Sequence, residues 1–167
     1  MEINKKSEKI GLVLEGGGVR GIYTAGVLDV FMEQGISFDG VIGVSAGAIH
    51  GCSYLSNQKG RSIRYYKKYC ADPRFMGLRS WLAKLVYRNY PAFAKALLRR
   101  HLVYNRTVEQ ILKLEQEGSI FVIRPEQPLN IGRLEKNPEN VQRVYDIGYA
   151  DGKKYVERLQ AWMSEEK

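Results

Sequence analysis

Two glycine-rich turns each stand between a short apolar run and a helical pattern: Gly16-Gly17-Gly18-Val19-Arg20-Gly21 and Gly43-Val44-Ser45-Ala46-Gly47. Ile10-Gly11-Leu12-Val13-Leu14 leads into the first, and Val41-Ile42 into the second. After the first turn Ile22, Ala25, Val27, Leu28, Phe31 and Met32 recur near helical spacing until Gly35; after the second, Ala46, Ile49, Cys52 and Leu55 do so. Strand, turn and helix twice over make a parallel βαβ unit, which binds ligands at the carboxyl ends of its strands. The expected fold class is therefore α/β. Strands are predicted at 9–14, 40–44 and 120–124, and no strand pattern stands between Arg61 and Gly118. Asn137-Pro138 reads as a helix N-cap followed by a first-turn proline, opening a helix carried by Val141, Val144, Tyr145, Gly148, Gly152, Tyr155, Leu159 and Trp162.

The second turn fits a nucleophile elbow. A serine lifted out of a sheet on a sharp strand-to-helix turn has no room for Cβ atoms two residues to either side, and Gly43 and Gly47 remove them. The helix N-terminus behind Ser45 favours an alkoxide and the oxyanion that follows attack. The alternative is a packed helix start with Ser45 as its N-cap. The first turn supplies consecutive bare N–H groups at another helix start, which suits an oxyanion hole formed by Gly16, Gly17, Gly18 and Val19. Arg20 is either an anchor for a carboxyl or phosphate on the substrate or the partner of a nearby acid. Gly21 supports the loop.

The same six residues also fit the dinucleotide fingerprint, so a phosphate- or nucleotide-binding module is the rival reading. That site needs an acid at the end of the second strand to hold a ribose. The strand here ends in Val44-Ser45, and Asp39 precedes it. No cofactor and no metal are expected.

Together the two turns resemble the patatin-like phospholipases, whose pattern is a G-G-G-x-[KR]-G loop followed by a G-x-S-x-G elbow. Residues 16–21 and 43–47 match it at each defined position. The stretch IGLVLEGGGVRGIYTAGVLDVFMEQGISFDGVIGVSAGAIHG resembles the bacterial branch of that family, as does the tail IFVIRPEQPLNIGRLEKNPENVQRVYDIGYADGKKY. The resemblance covers roughly residues 9–82 and 83–163. It implies a three-layer sandwich, a mostly parallel sheet with helices on both faces, built as a single domain over 1–167. It also implies acyl-ester cleavage, usually of lipids, by a Ser–Asp dyad. Ser45 carries over as nucleophile, and Gly17, Gly18 and the backbone of Val19 as oxyanion donors.

The dyad aspartate has no counterpart. In the family it lies in an Asp-Gly turn at a strand end, and of the five aspartates only Asp39 and Asp151 precede glycine. Asp39 begins the strand that Ser45 ends, about 16 Å away along extended chain. Asp151 falls within the predicted C-terminal helix, as a solvated helix acid. His50 lies on the helix that follows Ser45, turned away and about 7 Å along it, and His101 reads as a cation near a helix C-terminus. The predicted sheet is also incomplete. Both shortfalls point to a central segment of the family pattern missing near 82–83.

Composition narrows the setting. The net charge is +8, with basic residues interleaved with aromatics at Arg61, Arg64, Lys67, Lys68 and Arg74, and again across 84–100. Such stretches suit an anionic membrane surface or are the solvated faces of ordinary helices. No nucleic-acid motif accompanies the charge. No apolar run approaches eighteen residues, and Cys52 and Cys70 read as reduced thiols. A cytoplasmic protein is expected, peripheral at the inner membrane surface where the basic stretches meet it, with a lipid or small acyl ester as substrate. Residues 70–101 are expected to form part of a lid or acyl-chain wall.

Overall fold

The computed structural model of the chain describes residues 9–72 and 91–165. Residues up to Ala71 and from Ile123 onward form one compact unit, and Asp72–Val122 a second. The described residues are a mixed α/β structure, mostly helical, with one parallel pair of strands.

The first unit opens as the glycine turns dictate. Strand β1 (Gly11–Leu14) leads through a short 3-10 turn (Gly18–Gly21) into helix α1 (Ile22–Glu33). Strand β2 (Gly40–Gly43) then leads into helix α2 (Ala46–Leu55), followed by helix α3 (Arg61–Tyr69). The strands pair in parallel from Gly11↔Gly40 to Leu14↔Gly43, so both glycine turns leave the same end of the sheet. Leu14 is buried and Gly51 of α2 approaches its side chain, whereas Val13 and Ile42, on the alternate positions, are 73% and 66% exposed. Helix α1 ends where Gly35 takes a left-handed φ of +63°.

The predicted strand at 120–124 does not form: those residues join no sheet. A run of Ile, Phe and Val fits a pleated surface, but only a neighbouring strand makes it one. The sheet has two strands among the described residues, so the expected larger sheet between helix layers is not reached there. The proposed seam at 82–83 lies outside the described residues, as do Arg74 and most of the expected lid segment.

The second unit contains helix α4 (Pro91–Gln116). It closes on Gly118, at φ +72°, with Ser119 N–H donating to Leu114 O at 2.9 Å, a left-handed C-terminal closure. His101 therefore lies inside a helix that continues well beyond it, not at its end. The apolar spacing runs on through Leu112 and Leu114, which outweighs the basic residues at 99–101.

In the first unit the C-terminal helix α5 (Pro138–Ser164) starts on the predicted cap: Asn137 Oδ1 accepts from Glu139 N–H at 2.8 Å. Helix α5 lies against α1 through backbone. A Cβ on Gly148 would stand 2.0 Å from the carbonyl oxygen of Tyr23. Three tyrosines then tie the helices together. Tyr23 Oη donates to Asp151 at 2.8 Å, Tyr145 Oη to Asp29 at 2.7 Å, and Tyr149 Oη to Glu33 at 2.7 Å. Buried Ile22, Val30, Val141 and Val144 fill the core of this unit. Gly148→Ala is expected to cost about 2–3 kcal/mol, because neither helix backbone can move without losing this seam. A urea midpoint equal to wild type would show that the helices separate freely.

Candidate functional site

Ser45 stands at the N-cap of α2 with φ +53° and ψ −120°. For a side chain carrying Cβ this is a costly conformation, of order 1–3 kcal/mol, held only where surroundings enforce it. The surroundings here do so on both flanks. A Cβ on Gly43 would lie 2.6 Å from the backbone of Ala48, and one on Gly47 would lie 2.4 Å from Leu14 O. Strand end, serine and helix start are thus packed backbone to backbone. The side chain of Ser45 makes no capping hydrogen bond, although it occupies the capping position, and the residue is exposed. A serine chosen to cap would hold an extended backbone and bond the second or third helical N–H. Ser45 does neither.

The glycine loop lies directly against this elbow. A Cβ on Gly16 would be 2.7 Å from Val44 O and 3.0 Å from Ser45 Cβ. Gly18 is left-handed at φ +61°, and a Cβ there would meet Arg133 O at 2.7 Å. Gly17 differs from both, with ordinary contacts at 3.6 Å and beyond and no left-handed φ. The N–H groups of Gly16, Gly17 and Gly18 donate to no other group among the described residues, whereas Val19 N–H donates to Arg133 O at 3.2 Å. Arg20 is exposed, beside Gly17, and pairs with no acid among the described residues.

Four of the five aspartates are engaged elsewhere. Asp39 Oδ2 accepts from Ile10 N–H at 2.8 Å, at the start of β2, the opposite strand end from Ser45. Asp151 lies in α5 as its spacing predicts, but it is partly buried rather than fully solvated. It receives Tyr23 Oη, whose phenol burial and this carboxylate together push well up from its ordinary value. A buried hydroxyl requires an acceptor, and Asp151 is the one α5 offers. Asp29 accepts from Gly60 N–H and Tyr145, and Asp146 from Gln142. None of these four is bonded to Ser45.

His50 faces inward from α2 and is 1% exposed. Its Nδ1 lies 2.9 Å from Ser62 Oγ on α3, its ring packs against Tyr66, and its Nε2 has no partner among the described residues. Beneath Gly21, where a Cβ would sit 3.3 Å from Nε2, the ring fills the space between the glycine loop and α2. Burial lowers its pKa from 6.5 to about 4, so the imidazole is neutral at neutral pH. The free imidazole binds protons below 6.5 while the folded one resists them down to about 4. This stability is full above pH 6.5 and is lost as pH falls through the interval. The loss is expected to reach about 3 kcal/mol. Urea midpoints at pH 7.5 and 4.5 measure it, with His50→Gln showing the smaller drop; equal drops would remove His50 as the cause.

Cys52 and Cys70 are free thiols, the first exposed and the second buried. On α3, Ile63 and Tyr66 are buried while Arg64, Lys67 and Lys68 are exposed, so the first basic stretch is the outer face of an amphipathic helix. The side chains of the second stretch lie outside the described residues. No described helix is long and apolar enough to cross a membrane, and no described cluster of His, Cys, Asp or Glu could hold a metal ion.

Residues 90–164 match the family described as a domain of unknown function, DUF6363. Over 68 residues, 40% of this chain, the sequence is 44% identical to the uncharacterized protein YjjU of Escherichia coli K12, covering 19% of that protein. Over 82 residues, 49% of the chain, it is 34% identical to the neuropathy target esterase sws of Drosophila willistoni, covering 5% of that protein. The Drosophila persimilis esterase matches at the same identity and coverage. The matched segment therefore spans at most a fifth of the length of these relatives. No solved structure matches.

Proposed function

We propose that this chain is a serine acyl hydrolase of the patatin-like kind, with Ser45 as the nucleophile that takes up an acyl group from a carboxylic ester. The observation that carries the reading is the conformation of Ser45: exposed, left-handed, at a helix N-terminus and capping nothing. Sharing a segment with an esterase adds support. Attack by Ser45 Oγ on the acyl carbonyl forms the C–O bond and pushes charge onto the carbonyl oxygen. The free N–H groups of Gly16–Gly18 are the donors for that charge, aided by the N-terminus of α2. Collapse of the intermediate expels the alcohol, which takes the serine proton, and water then releases the acid.

The general base belongs to no described carboxylate, and the family pattern puts an aspartate there. Without it, donors and binding alone sustain about 10³–10⁴ over the uncatalysed rate. We assign the three-layer sandwich and a lipid acyl chain to the same reading, with Arg20 holding an anionic group of the substrate. The outer face of α3 then meets an anionic membrane from the cytoplasmic side. Gly16–Gly18 could also cradle a phosphate in a non-catalytic module, and a fluorophosphonate probe separates the two. An activated Ser45 is phosphonylated and Ser45→Ala is not; a wild type that stays unlabelled while phosphate raises its melting temperature would favour the binding module.

A further inference from the structure

The chain after residue 123 is built into the candidate site, and we propose that the Arg133 carbonyl is a positioning group for the glycine loop. Its catalytic consequence rests on the acyl-hydrolase reading, whereas its structural part does not. Val19 N–H donates to Arg133 O at 3.2 Å, and Val19 itself is fully buried. The same oxygen would stand 2.7 Å from a Cβ on Gly18, and Arg133 Cβ 3.5 Å from it, so the left-handed turn at Gly18 is shaped to this one carbonyl.

The strand of chain that presents Arg133 is fixed at both ends by α5. Before it, Arg143 Nη2 donates to Leu129 O at 2.9 Å. After it, Glu135 accepts from the N–H groups of Lys136 and Asn137 at 2.9 Å and from Asn140 Nδ2 at 3.2 Å. Helix α5 in turn is seated on α1, which begins where the loop ends. The loop is therefore held from two sides, by the elbow at Gly16 and by Arg133 at Gly18–Val19. With Val19 N–H taken, the free donors are those of Gly16, Gly17 and Gly18, preset in direction before any acyl carbonyl arrives. Oxyanion donors work only when held to within about 0.5 Å, which gives this clamp its use. The segment of the matched domain family that carries Arg133 thereby acquires a role inside the acyl-transfer site.

The test weakens the acceptor without touching a side chain. Replacing Leu134 by its α-hydroxy acid turns the Arg133–Leu134 amide into an ester, whose carbonyl accepts poorly. Amide exchange at Val19 is expected to quicken about three- to tenfold. The maximal rate of fluorophosphonate labelling is expected to fall by a similar factor, with half-saturation unchanged and the melting temperature held within about 3 °C. Unchanged exchange at Val19 would overturn the clamp. Exchange that quickens while labelling holds steady would overturn its positioning role, and faster labelling would show the carbonyl obstructing the donors. A wild type that never labels defeats the hydrolase reading instead, and Val19 exchange alone then decides the clamp.

Discussion

Ser45→Ala is expected to lower hydrolysis of a short acyl ester more than about tenfold, to the rate that the remaining donors and binding sustain, while the fold is kept. The substitution deletes one oxygen from an exposed side chain that bonds nothing among the described residues, so no capping is lost. It also removes the atom that must attack. In serine hydrolases that loss costs about 10⁶ in turnover when the base is present. Here no described carboxylate serves Ser45, so the wild type starts lower and the measurable drop is smaller. Replacing a positive-φ serine by alanine leaves the backbone strain where it was, and the melting temperature should stay within about 3 °C of wild type. A variant retaining more than about a tenth of the wild-type rate would place the chemistry on another group.

The second large effect is a contrast between neighbours. Gly18→Ala is expected to lower turnover by about 10²–10³, whereas Gly17→Ala should change it by less than about fivefold. Sequence alone treats the two as equivalent members of the loop. Space and conformation separate them. A Cβ at Gly18 meets Arg133 O at 2.7 Å in a left-handed residue, and one at Gly17 meets only ordinary contacts. The loop must therefore turn its donors to admit alanine at 18 and need not at 17. Parallel kinetics of the two variants read this directly, and equal losses would mean that the fit against Arg133 at Gly18 does not set the donors.

What was legible in the sequence was local. Each glycine turn lies between residues that decide their own structure within a few positions, so β1, β2, α1 and α2 begin and end close to where the pattern puts them. Asn137-Pro138 likewise announces α5 by chemistry contained in two residues. The elbow was readable because Gly43 and Gly47 have no purpose apart from the close approach around Ser45.

What was not legible depends on partners distant in sequence. Ile120–Arg124 has strand composition and no strand beside it among the described residues. Asp151 reads as a surface acid until Tyr23, 128 positions away, is found donating to it. His50 is spaced like any helical residue, and only the approach of Gly21 and Ser62 shows that it is sealed in. Arg133 offered no signal at all, since its part is played by a backbone oxygen that every residue type carries.

Ser45 is expected to form a covalent acyl intermediate. Its most direct measurement is rapid-quench trapping during hydrolysis of an activated short-chain ester, followed by peptide mapping by mass spectrometry. One acyl group is expected, on the peptide containing Ser45, absent from Ser45→Ala and from protein unfolded before mixing. An acyl group on another residue, or none under conditions of measurable turnover, would contradict it.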